Sequence, residues 1–133
     1  MKTAEMINAY PNDIGLDRDL LARAVNALVA CSQACTACAD ACLSEEMVAE
    51  LRHCIRTDLD CADICATTAR VLSRHTSYDA DITKAQLQAC IQACKTCGEE
   101  CEQHSTHHEH CRICAEACHE CEQACSELLA SIG

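Results

Sequence analysis

Sixteen of the 133 residues are cysteine, and their spacing constrains the fold more than any other feature. Cys31, Cys35, Cys38 and Cys42 follow steps of 4, 3 and 4 residues. Cys90, Cys94, Cys97 and Cys101 repeat those steps, as do Cys114, Cys118, Cys121 and Cys125. A fourth, degraded copy holds Cys54, Cys61 and Cys65. On a helix turning about 100° per residue, each 4-3-4 set falls within an arc of roughly 60°. The stripe on the first helix runs back through Leu28, Ala24 and Leu20, an apolar face. The thiols are therefore expected to point into a helical core.

The rest of the composition fits such a core. There is no Trp or Phe, only two Tyr, three Gly and one Pro. Leu, Ile and Val supply 23 residues and Ala 22, so cysteine has to fill or line much of the interior. With so little Gly and Pro, the chain reads as long helices with few breaks. A lead helix is expected over about residues 3–9, before Pro11 and Gly15. Four helices follow, over about 17–43, 45–74, 82–104 and 107–130. Ser44 with Glu45 and Glu46 reads as the start of the second. Thr83 with Gln86 reads as a capping box for the third, with Asp81 as the alternative cap, and Thr106 with Glu109 as one for the fourth. The expected fold is all-α, an antiparallel four-helix bundle with a short N-terminal lead helix, one domain over residues 1–133.

Lys and Arg total 10 against 21 Asp and Glu, a net charge of −11. That charge argues against nucleic acid and against an anionic membrane surface as partners. No uninterrupted apolar run reaches the roughly 18 residues of a membrane span, and the N-terminus has no leader pattern. A cytoplasmic location is expected.

Cysteine as a small buried hydrophobe would suit one or two positions, not sixteen. Disulfides within the repeats are disfavoured, because residues four apart on a helix project in parallel, which leaves only cross-helix disulfides open. Reduced thiolates binding a soft metal remain. Iron–sulfur loops use other spacings and often a Cys-Pro, absent here. Tetrahedral zinc on four thiolates would leave two negative charges per site in the core. Cu(I) is satisfied by two thiolates, and thiolates that bridge between coppers bring the core towards neutrality. Seven C-x3-C pairs account for fourteen cysteines; the other two, Cys54 and Cys111, have Asp58 and His107 four residues away.

Stepping by 4 and 3 from Cys101 reaches His104 and then His108, and a step of 4 back from Cys111 reaches His107. His104, with His107 or His108, is expected to continue the ligand column to the end bounded by the first and third inter-helix turns. His110 is expected to point off the stripe, and His53, His75 and His119 to be surface residues. The opposite end is expected to be plugged by Leu20, Ala24, Leu28, Leu72, Ile82, Leu87, Leu128 and Leu129.

With C-x3-C pairs on the helix faces and a His-rich turn before the last helix, the chain resembles the cytosolic branch of the bacterial copper storage proteins. The resemblance implies a four-helix bundle whose core holds many Cu(I) ions, a homotetramer, and storage and detoxification rather than catalysis. A copper chaperone or a small thiol would then deliver the metal. The departure from the pattern is Cys54 with Asp58, which implies one site of mixed ligands. An iron–sulfur electron carrier and a zinc-binding structural protein are the alternatives.

Overall fold

Two aspartates set where two of the four long helices begin. In the computed structural model, which describes residues 1–133, the helices are α1 (Thr3–Ala9), α2 (Arg18–Leu43), α3 (Arg52–Leu72), α4 (Ala80–Gln103) and α5 (Glu109–Ser131), and there are no strands. Asp17 opens α2, its carboxylate accepting the Leu20 N–H at 2.9 Å. Asp79 opens α4, accepting from the N–H groups of Asp81 at 2.9 Å and Ile82 at 3.0 Å. Neither Thr83 nor Asp81 serves as that cap. Asp79 has the extended backbone an N-cap requires, and its oxygen reaches two otherwise orphaned donors.

Two expected starts move. Ser44 does not open the second long helix, because its backbone stays in the helical region and its N–H closes α2 onto Ala41 and Cys42. Glu45 and Glu46 lie in a turn, a 3-10 turn follows over Val48–Leu51, and α3 starts only at Arg52. Leu51 is fully buried there, which draws the connection inward before the helix begins. The Thr106–Glu109 box also does not form. The His108 carbonyl takes the first N–H groups of α5, from Cys111 and Arg112, without any side-chain cap.

α2 packs against α3 and α5, and α4 packs against α3 and α5. With short connections, sequential neighbours are antiparallel and the four long helices enclose one core. α1 lies on α2 and buries Ile7, while Arg18 ties it down through Nη1 to the Ile7 carbonyl at 2.9 Å and Nη2 to that of Asn12 at 3.1 Å. By length and composition α2 is apolar enough to span a membrane, with a mean hydropathy of 1.3 in its most apolar window. That apolarity is Ala, Leu and Cys, and the face carrying Cys31, Cys35, Cys38 and Cys42 is packed inside the bundle.

The plug differs from expectation in register. Leu21, Leu28, Leu72, Leu87 and Leu128 are buried, but Ile82 is 61% exposed and Leu20 and Leu129 are only half-buried. On α4 the cysteine stripe runs back from Cys90 through Leu87 and Thr83, so Ile82 falls off it and faces out. The seam of α2 runs Leu21, Ala24, Leu28, one residue on from Leu20.

Candidate metal centre

All sixteen cysteines are buried and none is in a disulfide. The inter-helix packing interleaves their stripes. Across helices, Cys35 Sγ lies 3.6 Å from Cys118 Sγ, Cys65 Sγ 3.6 Å from Cys94 Sγ, and Cys54 Sγ 3.7 Å from Cys101 Sγ. Along a helix, Cys31 to Cys35 and Cys61 to Cys65 are each 3.8 Å apart. These are non-bonded contacts, far longer than the roughly 2.05 Å of a disulfide.

Quartets of donor atoms form with every member within 4.8 Å of the others: Cys31, Cys65, Cys94 and Cys121; Cys31, Cys35, Cys61 and Cys118; Cys35, Cys97, Cys114 and Cys118; Cys38, Cys42, Cys54 and Cys111; and Cys38, Cys54, Asp58 and Cys101. Cys31, Cys35, Cys38, Cys54 and Cys118 each belong to two of these sets. Isolated tetrahedral sites would divide the sulfurs between them. Shared sulfurs are instead what bridging thiolates require. Packed thiols also tune one another. Cys38 is brought down to about 6, chiefly by Cys101, with Cys54 and His110 adding. Cys42 and Cys111 are pushed up by burial.

Asp58 sits within the thiol column. Its Oδ1 accepts from the Cys97 thiol at 3.0 Å, Cys114 at 3.2 Å and Cys101 at 3.4 Å. Thiols from α4 and α5 are thus the partners of this buried carboxyl. Burial, then the neighbouring Cys114 and Cys97, holds Asp58 far above the usual carboxylate range. Burial of this kind favours the neutral acid over the carboxylate in the metal-free core.

The histidines at the α2–α3 and α4–α5 end divide. His104 ends α4, and its Nε2 lies 2.9 Å from Glu100 Oε2. His107 is exposed. His108 is buried, its Nδ1 2.6 Å from Glu45 Oε2. His110, expected to turn away, faces the thiols instead: its Nδ1 is 3.4 Å from Cys38 Sγ and 3.6 Å from Cys111 Sγ. Its Nε2 is 3.0 Å from Glu45 Oε2. Desolvation opposes charge on this ring, but Cys38 and Glu45 outweigh it and lift the imidazole above its ordinary value. His110 directly precedes Cys111, and that adjacency was the one sequence signal for it. Stepping by 3 and 4 skips it, because the turn over residues 104–108 resets the helical register. Of the outlying histidines, His53 and His119 are solvent-facing and His75 packs edge-on against Tyr10.

The sequence model of the copper storage protein family, Csp, matches residues 17–130. The structure of the copper storage protein Ccsp from Streptomyces lividans, loaded with 10 copper equivalents, superposes with a TM-score of 0.96 at 59% identity, covering 97% of this chain and 98% of that one. A second structure of the Streptomyces lividans protein, described as a cytosolic copper storage protein with five coppers, gives 0.86 at 63% identity over 86% of this chain and 96% of that one. The Cu(I)-bound copper storage protein BsCsp3 gives 0.71 at 35% identity, covering 80% and 94% of the two chains.

Proposed function

This chain belongs to the copper storage protein family, and from that premise we propose how its residues divide the work of holding Cu(I). It is a copper store and not an enzyme, binding multiple Cu(I) ions through the cysteines of its core, in the cytosol as described for the Streptomyces lividans protein. That sets aside the iron–sulfur and zinc alternatives.

All sixteen cysteines act as ligands in one continuous column, within a single domain spanning the chain. The observation that carries this is the sharing of Cys31, Cys35, Cys38, Cys54 and Cys118 between adjacent quartets. A bridging sulfur serves two coppers, so charge per metal falls and a buried row becomes tolerable. Asp58 is an oxygen ligand at the mouth end of the column. His104, His107 and His108 form the entrance, and His110 joins them as the imidazole closest to the thiols.

Assembly as a homotetramer belongs to the same reading. Its support is the family resemblance and a groove between α2 and α3 where Val25, Val29 and Ala69 form an apolar floor beside Asp40, Arg70 and Arg74. Delivery by a copper chaperone or a small thiol follows from the need to keep Cu(I) ligated before it reaches the mouth. Sedimentation of the loaded protein tests the assembly, and a monomer at micromolar concentration overturns it.

The test of the column is anaerobic titration of the reduced, metal-free protein with Cu(I) against a chromophoric chelator. Uptake is expected to approach one copper per cysteine, sixteen in this chain. Saturation at about four equivalents, one per four thiolates, would mean separate tetrahedral sites instead.

A further inference from the structure

The mouth contains a carboxylate that touches no thiol but grips the imidazole that does. Glu45 lies in the turn between α2 and α3, and its Oε2 lies 3.0 Å from His110 Nε2 and 2.6 Å from His108 Nδ1. The two rings stack at 5.4 Å between centroids with 26° between planes. On its far edge the His110 ring presents Nδ1 to Cys38 and Cys111 at 3.4 and 3.6 Å.

We propose that Glu45 is a positioning residue for copper uptake: by accepting the His110 Nε2–H, it holds that ring with Nδ1 aimed at the Cys38 and Cys111 sulfurs. The proposal rests on the reading that copper enters at this end and that His110 shares it with those thiols. An imidazole has two nitrogens on opposite edges. When one N–H is committed to a carboxylate, the other nitrogen is the one left for a metal, and the ring cannot rotate without breaking the bond. Glu45 provides that commitment from outside the column. Its side chain is 32% exposed, so it stands on the solvent side of the ring while the sulfurs stand on the buried side. His108, side chain 7% exposed, backs the ring from behind and is held by the same oxygen.

The contact also joins segments that are far apart in sequence. Glu45 belongs to the α2–α3 connection and His110 to the first turn of α5, 65 residues later. A helix end is not at stake, since α2 is closed by the Ser44 N–H and α3 begins only at Arg52. Replacing Glu45 therefore removes the grip without removing a cap. The neighbouring Glu46 is exposed and gives a control of equal charge.

The experiment uses the full-length reduced chain with 15N-labelled histidine, as wild type, Glu45→Ala, Glu45→Gln, Glu46→Ala and His110→Ala. Two quantities are read: the His110 Nε2–H resonance, assigned by its loss in His110→Ala, and the affinity for the first copper equivalents by chelator competition. In the wild type the Nε2–H resonance is expected to be downfield and slowly exchanging. In Glu45→Ala it is expected to disappear into exchange, and the first equivalents to bind about 10- to 100-fold more weakly, the usual cost of losing a ligand's outer hydrogen-bond partner. Glu45→Gln keeps an acceptor oxygen and is expected to retain both signatures, and Glu46→Ala to match the wild type. Glu46→Ala is also expected to keep the total capacity of the wild type, because all sixteen thiols and the mouth are intact in it. If Glu45→Ala keeps the resonance and the affinity while His110→Ala weakens binding, His110 stands as a copper contact and Glu45 does not position it. If His110→Ala itself binds the first equivalents as the wild type does, the reading beneath the proposal fails and the proposal with it.

Discussion

At the end bounded by the α2–α3 and α4–α5 turns, the thiol column meets Asp58, His104, His108, His110 and Glu45. At the other end it meets Leu21, Leu28, Leu72, Leu87 and Leu128, with α1 packed outside. The polar groups of the second end are satisfied among themselves. Thr68 donates to the Ile64 carbonyl at 2.7 Å and accepts from Gln86 Nε2 at 2.9 Å. One end therefore offers donors that can exchange a soft cation, and the other offers none. On the proposed reading the difference separates stability from traffic: the aliphatic end holds the helices together when the column is empty, and the polar end admits copper.

The largest effect should come from breaking the plug. Leu28→Ala and Leu72→Ala each remove a buried side chain, at about 2–5 kcal/mol apiece depending on how far the cavity collapses. Denaturant unfolding of the metal-free protein should show that loss while stopped-flow copper uptake keeps its initial rate. Faster uptake in the double variant would place the entrance at the plugged end.

Asp58 gives the next largest effect, in the metal-free protein. An unfolded aspartate titrates near 4, whereas this one is raised by burial, so above about pH 4 the folded chain holds a proton the unfolded chain has lost. Stability from this group is then greatest below pH 4 and falls as pH rises, by at most about 1.4 kcal/mol per pH unit. Asp58→Asn should flatten that fall between pH 5 and pH 7, as followed by urea unfolding. A variant as steep as the wild type would mean that Asp58 ionises freely in the core.

Replacing His104 and His108 together with leucine sharpens the comparison from the other side. Every thiol remains, so copper capacity should fall little, while removal by a strong chelator should change several-fold in rate. An unaltered rate would detach these two imidazoles from the exchange path. The smallest effect belongs to Tyr10→Phe near the plug. It deletes the exposed 2.8 Å bond from the Tyr10 hydroxyl to Thr76 Oγ1 and should cost less than about 1 kcal/mol, with copper uptake unaltered. A change in uptake would implicate the lead helix in access to the core.

Periodicity by itself determined the helices, their number and the inward direction of the thiols. The reason is local: steps of 3 and 4 keep Cys31 through Cys42 on one face whatever that helix packs against. The aliphatic end could be read in the same way, although on α4 the stripe runs back from Cys90 through Leu87 to Thr83 and leaves Ile82 exposed. Tertiary structure decided what periodicity cannot carry across a turn. His104 and His108 continue the count from Cys101, yet it is His110 that reaches Cys38, because the chain leaves the helix at residue 104 and re-enters it in a new register. Asp58 was legible as the companion of Cys54, but its thiol partners on α4 and α5 lie 39 to 56 residues away in sequence. Glu45 read as part of a helix start and became instead the anchor of two histidines more than sixty residues on. Contacts of that kind depend on how four helices settle against one another, and no spacing within a single helix specifies them.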